Sequence, residues 1–168
     1  MNPSVILRAM EPEDLDLLYK IENDQHLWNV GATNVPYSRY VLHDYIANAS
    51  GDIYTDQQVR FIVENIKGQT VGVVDITNFD AKNCRAEVGI VIVSEYRHRG
   101  YGQLTLRQIA DYSLRVLHLH QLYALIDADN SYSQQLFHKA GFQDTATIKD
   151  WLYDGRSYHD AVLMQIFF

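Results

Sequence analysis

Cysteine is almost absent: Cys84 is the only one in 168 residues. No internal disulfide can form, and such a chain suits a reducing compartment, so the cytoplasm is expected. Asn83 and Arg85 flank Cys84 and offer no obvious base, so it reads as an incidental thiol rather than a nucleophile. No apolar run approaches the roughly 20 residues of a membrane-spanning helix. The stretch Met1 to Arg8 also lacks the charged-then-apolar layout of a secretory signal. Positive charge is scarce as well. Lys and Arg total 14 against 21 Asp and Glu, a formal net charge of −7. Nucleic-acid binders carry a basic face, so no nucleic-acid partner is expected. The acidic balance suits a cationic substrate, although it equally suits a plain solvated surface. With no repeat, low-complexity stretch or linker, residues 1–168 read as one domain.

What is present alternates between strand and helix signals. Ser4 to Arg8 reads as a first strand. Glu11-Pro12-Glu13-Asp14 starts a helix that carries Leu15, Leu17, Leu18 and Ile21, with proline and acids where a first turn favours them. A second, shorter helix spans Tyr40 to Ile46 and closes at Asn48–Gly51. Val59–Glu64 and Thr70–Ile76 form a hairpin around Asn65-Ile66-Lys67-Gly68-Gln69. Asn78–Asn83 reads as a turn into the strand Glu87–Val93. A helix runs to about Val116, His120–Asp127 is a strand, and Ser131–Ala140 is a helix stopped by Gly141. Thr147–Tyr153 and Tyr158–Phe168 close the chain as a hairpin. The order β-αα-βββ-α-β-α-ββ predicts an α+β fold with a mixed, mostly antiparallel sheet flanked by helices.

The strongest chemical signal lies where the β-branched run Ile90-Val91-Ile92-Val93 ends. Arg97-His98-Arg99-Gly100-Tyr101-Gly102 follows and leads into a helix. A strand, a glycine loop and a helix N-terminus together suit a phosphate: backbone N–H groups lack partners there, and the helix dipole favours an anion. The spacing is neither a Rossmann fingerprint nor a P-loop. Strand alternation puts Glu87, Gly89, Val91 and Val93 on one face, so Glu87 is a carboxylate available to a site on that face.

Arg97-x-x-Gly100-x-Gly102 resembles the cofactor loop of the GNAT superfamily, the acetyl-CoA-dependent N-acetyltransferases. Asn130-Ser131-Tyr132-Ser133-Gln134-Gln135-Leu136-Phe137-His138-Lys139-Ala140-Gly141-Phe142 resembles a later block of that family. The ending Tyr153–Asp160, with Glu87 in Ala86-Glu87-Val88-Gly89, resembles the branch containing ribosomal-protein and spermidine acetyltransferases. The resemblance implies a single GNAT-like domain that binds acetyl-CoA and no metal. The pyrophosphate would sit on Arg97, His98, Arg99, Gly100, Tyr101 and Gly102. Backbone donors among Ile90, Val91, Ile92 and Val93 would face the thioester. Asn130, Ser133 and Phe137 would line the cofactor arm. A homo-oligomer is compatible with this reading.

Acetyl transfer to an amine needs a base, for which Glu87 is the first candidate; a partly buried carboxylate there would have the raised pKa such a base needs. Its structural alternative is a pair with Arg85 or Arg60. Asp75 and His120 are weaker candidate bases. The family often carries a tyrosine at the position of Phe137 to protonate the departing thiolate. Phe137 has no hydroxyl, which leaves Tyr132, Ser133, water or no acid at all. The segment from Glu22 to Asp56 should line the acceptor pocket, with Glu22, Asp24, Asp44, Asp52 and Asp56 beside Trp28, Tyr37 and Tyr45. Spermidine acetyltransferases carry paired glutamates after a loop tryptophan. Here Trp28 is followed by Asn29-Val30-Gly31-Ala32, a departure from the polyamine pattern. The expected function is transfer of an acetyl group to a primary amine, either a polyamine-like small molecule or a protein N-terminus. The alternative is a non-catalytic acyl-CoA-binding module.

Overall fold

A computed structural model describes residues 4–27 and 35–168. Its strands are β1 (Val5–Arg8), β2 (Val59–Asn65), β3 (Thr70–Asp80), β4 (Arg85–Ile92), β5 (Gln121–Asp127), β6 (Gln143–Tyr153) and β7 (Tyr158–Phe167). Its helices are α1 (Leu15–Glu22), α2 (Arg39–Asn48), α3 (Ile53–Asp56), α4 (Tyr101–Arg115) and α5 (Ser131–Ala140). The strands form one sheet in the order β1-β2-β3-β4-β5-β7-β6. Each neighbouring pair is antiparallel except β4 and β5, which run parallel. The α+β class and the mixed, mostly antiparallel sheet are as the sequence implies.

Local chemistry sets several boundaries. Asp14 closes a one-turn 3-10 segment before α1, and its carboxylate accepts the Glu11 N–H at 2.8 Å. The same buried carboxylate takes two bonds from Arg8, whose Nε reaches Glu64 at 2.6 Å. One guanidinium therefore ties β1, β2 and the start of α1 together. Ser38 caps α2 by accepting the Val41 N–H. Gly141 ends α5 at φ +106°, a left-handed conformation that glycine adopts without strain.

Three elements differ from the sequence reading, one of them β6, which begins at Gln143 rather than Thr147. The sequence gives no sign of α3, which docks through the edge-to-face pair Tyr54–Phe79 (centroids 5.1 Å apart). β3 runs on to Asp80 through the stretch read as a turn. Asn78 takes φ +49° there, and the register with β4 slips between Thr77 and Asp80. The asparagine is a local irregularity inside a strand, not the end of one.

The main core fills the sheet face that carries Val74, Ile76, Ala86, Val88, Leu122 and Ala124, packed with Leu106 and Ile109 of α4 and Phe137 of α5. Burying each large aliphatic side chain contributes about 1.5–3 kcal/mol. On the opposite face a cleft opens between α1 and α2 on one side and β2, β3 and β4 on the other.

The β6–β7 hairpin is fastened to the turn after β5 by His159. Its Nε2 lies 2.9 Å from Asp154 and its Nδ1 lies 3.2 Å from Asp129, with Asp127 at 3.7 Å. The Asp154 hydrogen bond, together with Asp129 and the charge of Asp127, holds the imidazole above its ordinary value of 6.5, against a smaller opposing effect of burial. The cation binds the folded state more tightly, so its stabilisation is complete below the unfolded value. It fades as pH rises through the raised folded value. Melting temperatures of the parent and of His159→Gln should therefore differ most at about pH 6 and below. The gap should narrow steadily toward about pH 9. A gap that stays constant across this range would mean that the imidazolium charge does not fasten the hairpin.

Candidate active site

β4 and β5 pair only from Arg85–Gln121 to Glu87–Tyr123, although β4 continues to Ile92 and β5 to Asp127. Beyond that point each strand keeps its other neighbour, β3 or β7, and the two diverge. The phase of the β3–β4 ladder decides which backbone groups face the opening. Val93 donates its N–H to the Val71 carbonyl at 2.9 Å. Bonded and non-bonded pairs alternate in an antiparallel ladder, so Val91 and Gly89 also turn their N–H groups toward β3. Ile90 and Ile92 then turn theirs toward the gap. The Ile92 carbonyl points the same way and accepts Arg97 Nε at 2.9 Å. Of the four residues expected to supply donors, the structure leaves Ile90 and Ile92. Val91 contributes its side chain to the cleft, while the Val93 N–H is taken by β3.

The glycine loop crosses the mouth of this gap. His98 takes φ +61° and Gly100 φ +85°, and Gly100 is the N-cap of α4. The first bond back to the cap runs from the Leu104 N–H to the Gly100 carbonyl, so Tyr101, Gly102 and Gln103 open the helix as first-turn donors without intrahelical acceptors. Gly102 has a packing reason to be glycine. A Cβ there would meet both Leu136 methyls at 3.2 Å, so α4 lies tight against α5. The basic side chains do less at the cleft than the sequence suggests. Arg97 is bound to Ile92, and Arg99 lies over the Tyr96 ring at 5.7 Å, outside the cleft lining.

One cleft of about 1100 Å³ joins this loop to the face beneath α1 and α2. Glu87, Ile90, Val91, Ile92, Arg97, His98, Gly100, Tyr101, Gly102, Asn130, Ser133 and Phe137 all line it. Asn130 also caps α5 by accepting the Ser133 N–H at 3.0 Å, so its structural role coexists with its place in the site. Phe137 is 4% exposed and packs edge-to-face on Phe142, at once a core residue and part of the wall. Tyr132, which helical spacing alone places about 140° from Phe137, reaches the cleft too. It meets the His98 ring at 5.0 Å, a contact between residues distant in sequence that spacing does not reveal.

Glu87 stands where β4 and β5 part. Its Oε2 accepts Asn78 Nδ2 at 2.7 Å. Burial raises the Tyr123 phenol, and the nearby Glu87 charge raises it further. Neither expected cation pairs with Glu87: Arg85 reaches Asp80, and Arg60 is held elsewhere. Arg60 grips Asp75 through Nε at 2.6 Å and Nη2 at 2.9 Å, and reaches Glu22 through Nη1 at 2.5 Å. Burial alone pulls this guanidinium down; the Asp75 and Glu22 carboxylates more than reverse it and hold it above its ordinary value. Asp75 lines the cleft as a bound ion-pair partner rather than a base. His120 packs on Phe167 at the far end of β5, away from the cleft.

The acceptor side is narrower than the run of acids suggested. Glu22, Tyr37 and Tyr45 line it. Asp24, Asp44, Asp52 and Asp56 do not. Each bonds locally, to His26 N–H, Asn48, the start of α3 and Ser50 N–H respectively. Short acids near helix ends satisfy nearby backbone and side-chain donors first. Trp28 and residues 29–32 lie outside the described residues.

Known proteins resemble this chain over nearly its whole length. Residues 4–143 match the family model described as the acetyltransferase (GNAT) domain. Spermidine N(1)-acetyltransferase of Escherichia coli (strain K12) is 28% identical, over 98% of this chain and 86% of its own length. A putative ribosomal N-acetyltransferase of Bacillus subtilis is 26% identical, over 96% and 90%. The crystal structure of spermidine N-acetyltransferase from Vibrio cholerae in complex with CoA and spermine superposes with a TM-score of 0.85 at 23% identity, covering 98% of this chain and 95% of that one. The family match takes in the parted strands, the glycine loop and the Asn130 helix together: the protein belongs to the GNAT family and is an N-acetyltransferase.

Proposed function

We propose that the protein transfers the acetyl group of acetyl-CoA to the primary amine of a small, polyamine-like cation, by direct attack with both substrates bound. The observation that carries this reading is the row of groups at the strand divergence. The Ile90 and Ile92 N–H groups face the gap, and Glu87 stands on the cleft side of the same strand, three residues before Ile90 and five before Ile92. The spermidine acetyltransferases among the relatives favour a polyamine-like acceptor. So does the acidic lining of the cleft near α1.

When bound, acetyl-CoA supplies an electrophilic thioester carbonyl. First-turn N–H groups of α4 hold the pyrophosphate at the left-handed Gly100 turn, as unpaired helix-start donors do for anions. Asn130 and Ser133 offer polar groups to the amide-rich arm, and Phe137 offers an apolar wall. Glu87 takes the proton from the acceptor ammonium, directly or through a water, with Asn78 fixing the carboxylate's orientation. Ile90 and Ile92 donate to the thioester oxygen as charge develops on it, without reorganising to do so. A thiol with a pKa near about 8.5 departs as a thiolate at neutral pH without a donor. Phe137 in place of a tyrosine is therefore compatible with turnover.

Coupled acetyl-CoA and amine assays of free thiol release test this reading. Turnover with diamines and triamines is expected. Turnover with peptides alone would reassign the acceptor to a protein N-terminus, and no thiol release with any amine or peptide would refute it. Gly100→Leu should abolish the rise in melting temperature that acetyl-CoA gives the parent, because φ +85° strains any side chain and the side chain blocks the anion. A retained rise would make the loop a plain turn. Glu87→Gln should keep that rise yet lower kcat by a factor on the order of 10² near neutral pH. The pH–rate profile should lose its acidic limb, and an unchanged profile would assign deprotonation to another group. Tyr132→Phe should leave kcat within about twofold if the thiolate departs unaided. A large loss that Phe137→Tyr restores would make Tyr132 the proton donor.

A further inference from the structure

Glycine inside a strand or helix is destabilising relative to alanine, so each one calls for a reason. Gly72 has one, since a Cβ there would lie 2.2 Å from the Val91 carbonyl oxygen. Gly102 has one in Leu136, and Gly100 in its φ of +85°. Gly89, in the middle of β4, has neither. It is absent from the positive-φ residues, and a Cβ built on it meets nothing within 4 Å. The fold would accept a side chain there.

The space that side chain would fill is part of the cleft. Register sets Arg60 of β2, Asp75 of β3 and Gly89 of β4 side by side across the sheet. On the same face, Glu87 and Val91 are the neighbours of Gly89 along β4. Its successor is Ile90, whose N–H faces the strand gap. The missing side chain therefore leaves a notch walled by the proposed base on one side and the Asp75 carboxylate on another, one residue from the proposed oxyanion donor. An amine attacking a carbonyl held at that donor must approach over this notch.

We propose that Gly89 is a specificity-determining residue, the floor over which the reacting amine of the acceptor enters. The acceptor it admits is an aliphatic primary amine whose remaining chain lies along the row from Gly89 toward Asp75 and Arg60. This rests on the acetyl-transfer reading given above. The side-chain-free floor sets how closely the nitrogen can approach, so its filling acts on the acceptor and not on the cofactor, which binds at the far side of the gap.

The test compares the parent with Gly89→Ala and Gly89→Val, using n-butylamine, 1,4-diaminobutane and spermidine as acceptors. Both variants should melt at or above the parent temperature, since alanine and valine suit a strand better than glycine. The acetyl-CoA KM should stay within about twofold, while kcat/KM for every acceptor falls by about tenfold in the alanine variant and further in the valine variant. Active variants with the parent's acceptor kinetics would overturn the role of Gly89 and leave the acetyl-transfer reading intact. A parent that releases no thiol with any amine would instead overturn that reading and this inference with it. An equal rise in both KM values would show that the substitution disturbs the whole site, and would also overturn the claim of acceptor specificity.

Discussion

Everything in the site depends on two parallel strands that stop pairing. β4 is committed to β3 along its whole length and β5 to β7 along its whole length, so each has a complete partner on its far side. Their mutual pairing ends after Glu87 and Tyr123. Backbone groups that a continuous sheet would consume are left pointing into a wedge. Such groups are costly to bury without a partner. The structure meets part of that demand itself, through Arg97 on the Ile92 carbonyl. The Ile90 and Ile92 N–H groups on the same edge have no strand partner across the gap. The tight seating of α4 on α5 at Gly102, with Ile92 beside it, places the helix start and its unpaired donors at the open end of the wedge.

Electrostatics then separates the two halves of the cleft. Arg60 takes up Asp75 and Glu22, joining the end of α1 to the middle of the sheet. Two carboxylates held by one guanidinium leave a net negative wall with fixed geometry, and Tyr45 stands against it with its phenol raised by burial. Glu87 is outside that network and answers to a neutral amide. No guanidinium holds the Glu87 carboxylate, whereas both Asp75 oxygens are gripped by Arg60 nitrogens. This difference in partners, more than position, distinguishes Glu87, the proposed base, from Asp75.

The features legible in the sequence are those with a local cause. The loop around Gly100 announces itself because a left-handed turn at a helix start selects glycine. Asn130 and Gly141 mark the ends of α5 for similar reasons. Strand alternation correctly put Glu87 and Gly89 on the cleft face. What stayed hidden depends on how distant segments meet. Which of Ile90 to Val93 offers a donor is decided by the phase of the β3–β4 ladder, which a single strand does not encode. Tyr132 faces the cleft because His98, far away in the chain, folds against it. Asp44, Asp52 and Asp56 look like pocket acids but accept from Asn48, the start of α3 and the Ser50 N–H instead. Asn78 reads as a turn residue and instead sits within β3 holding Glu87.

Amide hydrogen exchange along β4, resolved residue by residue, tests the central claim most directly. If the strands part as described, the Val91 and Val93 amides are protected by β3, while those of Ile90 and Ile92 exchange faster. Saturating acetyl-CoA should then slow Ile90 or Ile92 selectively. Uniform protection from Gly89 to Val93 in the free protein, or no response of Ile90 and Ile92 to acetyl-CoA, would contradict the account.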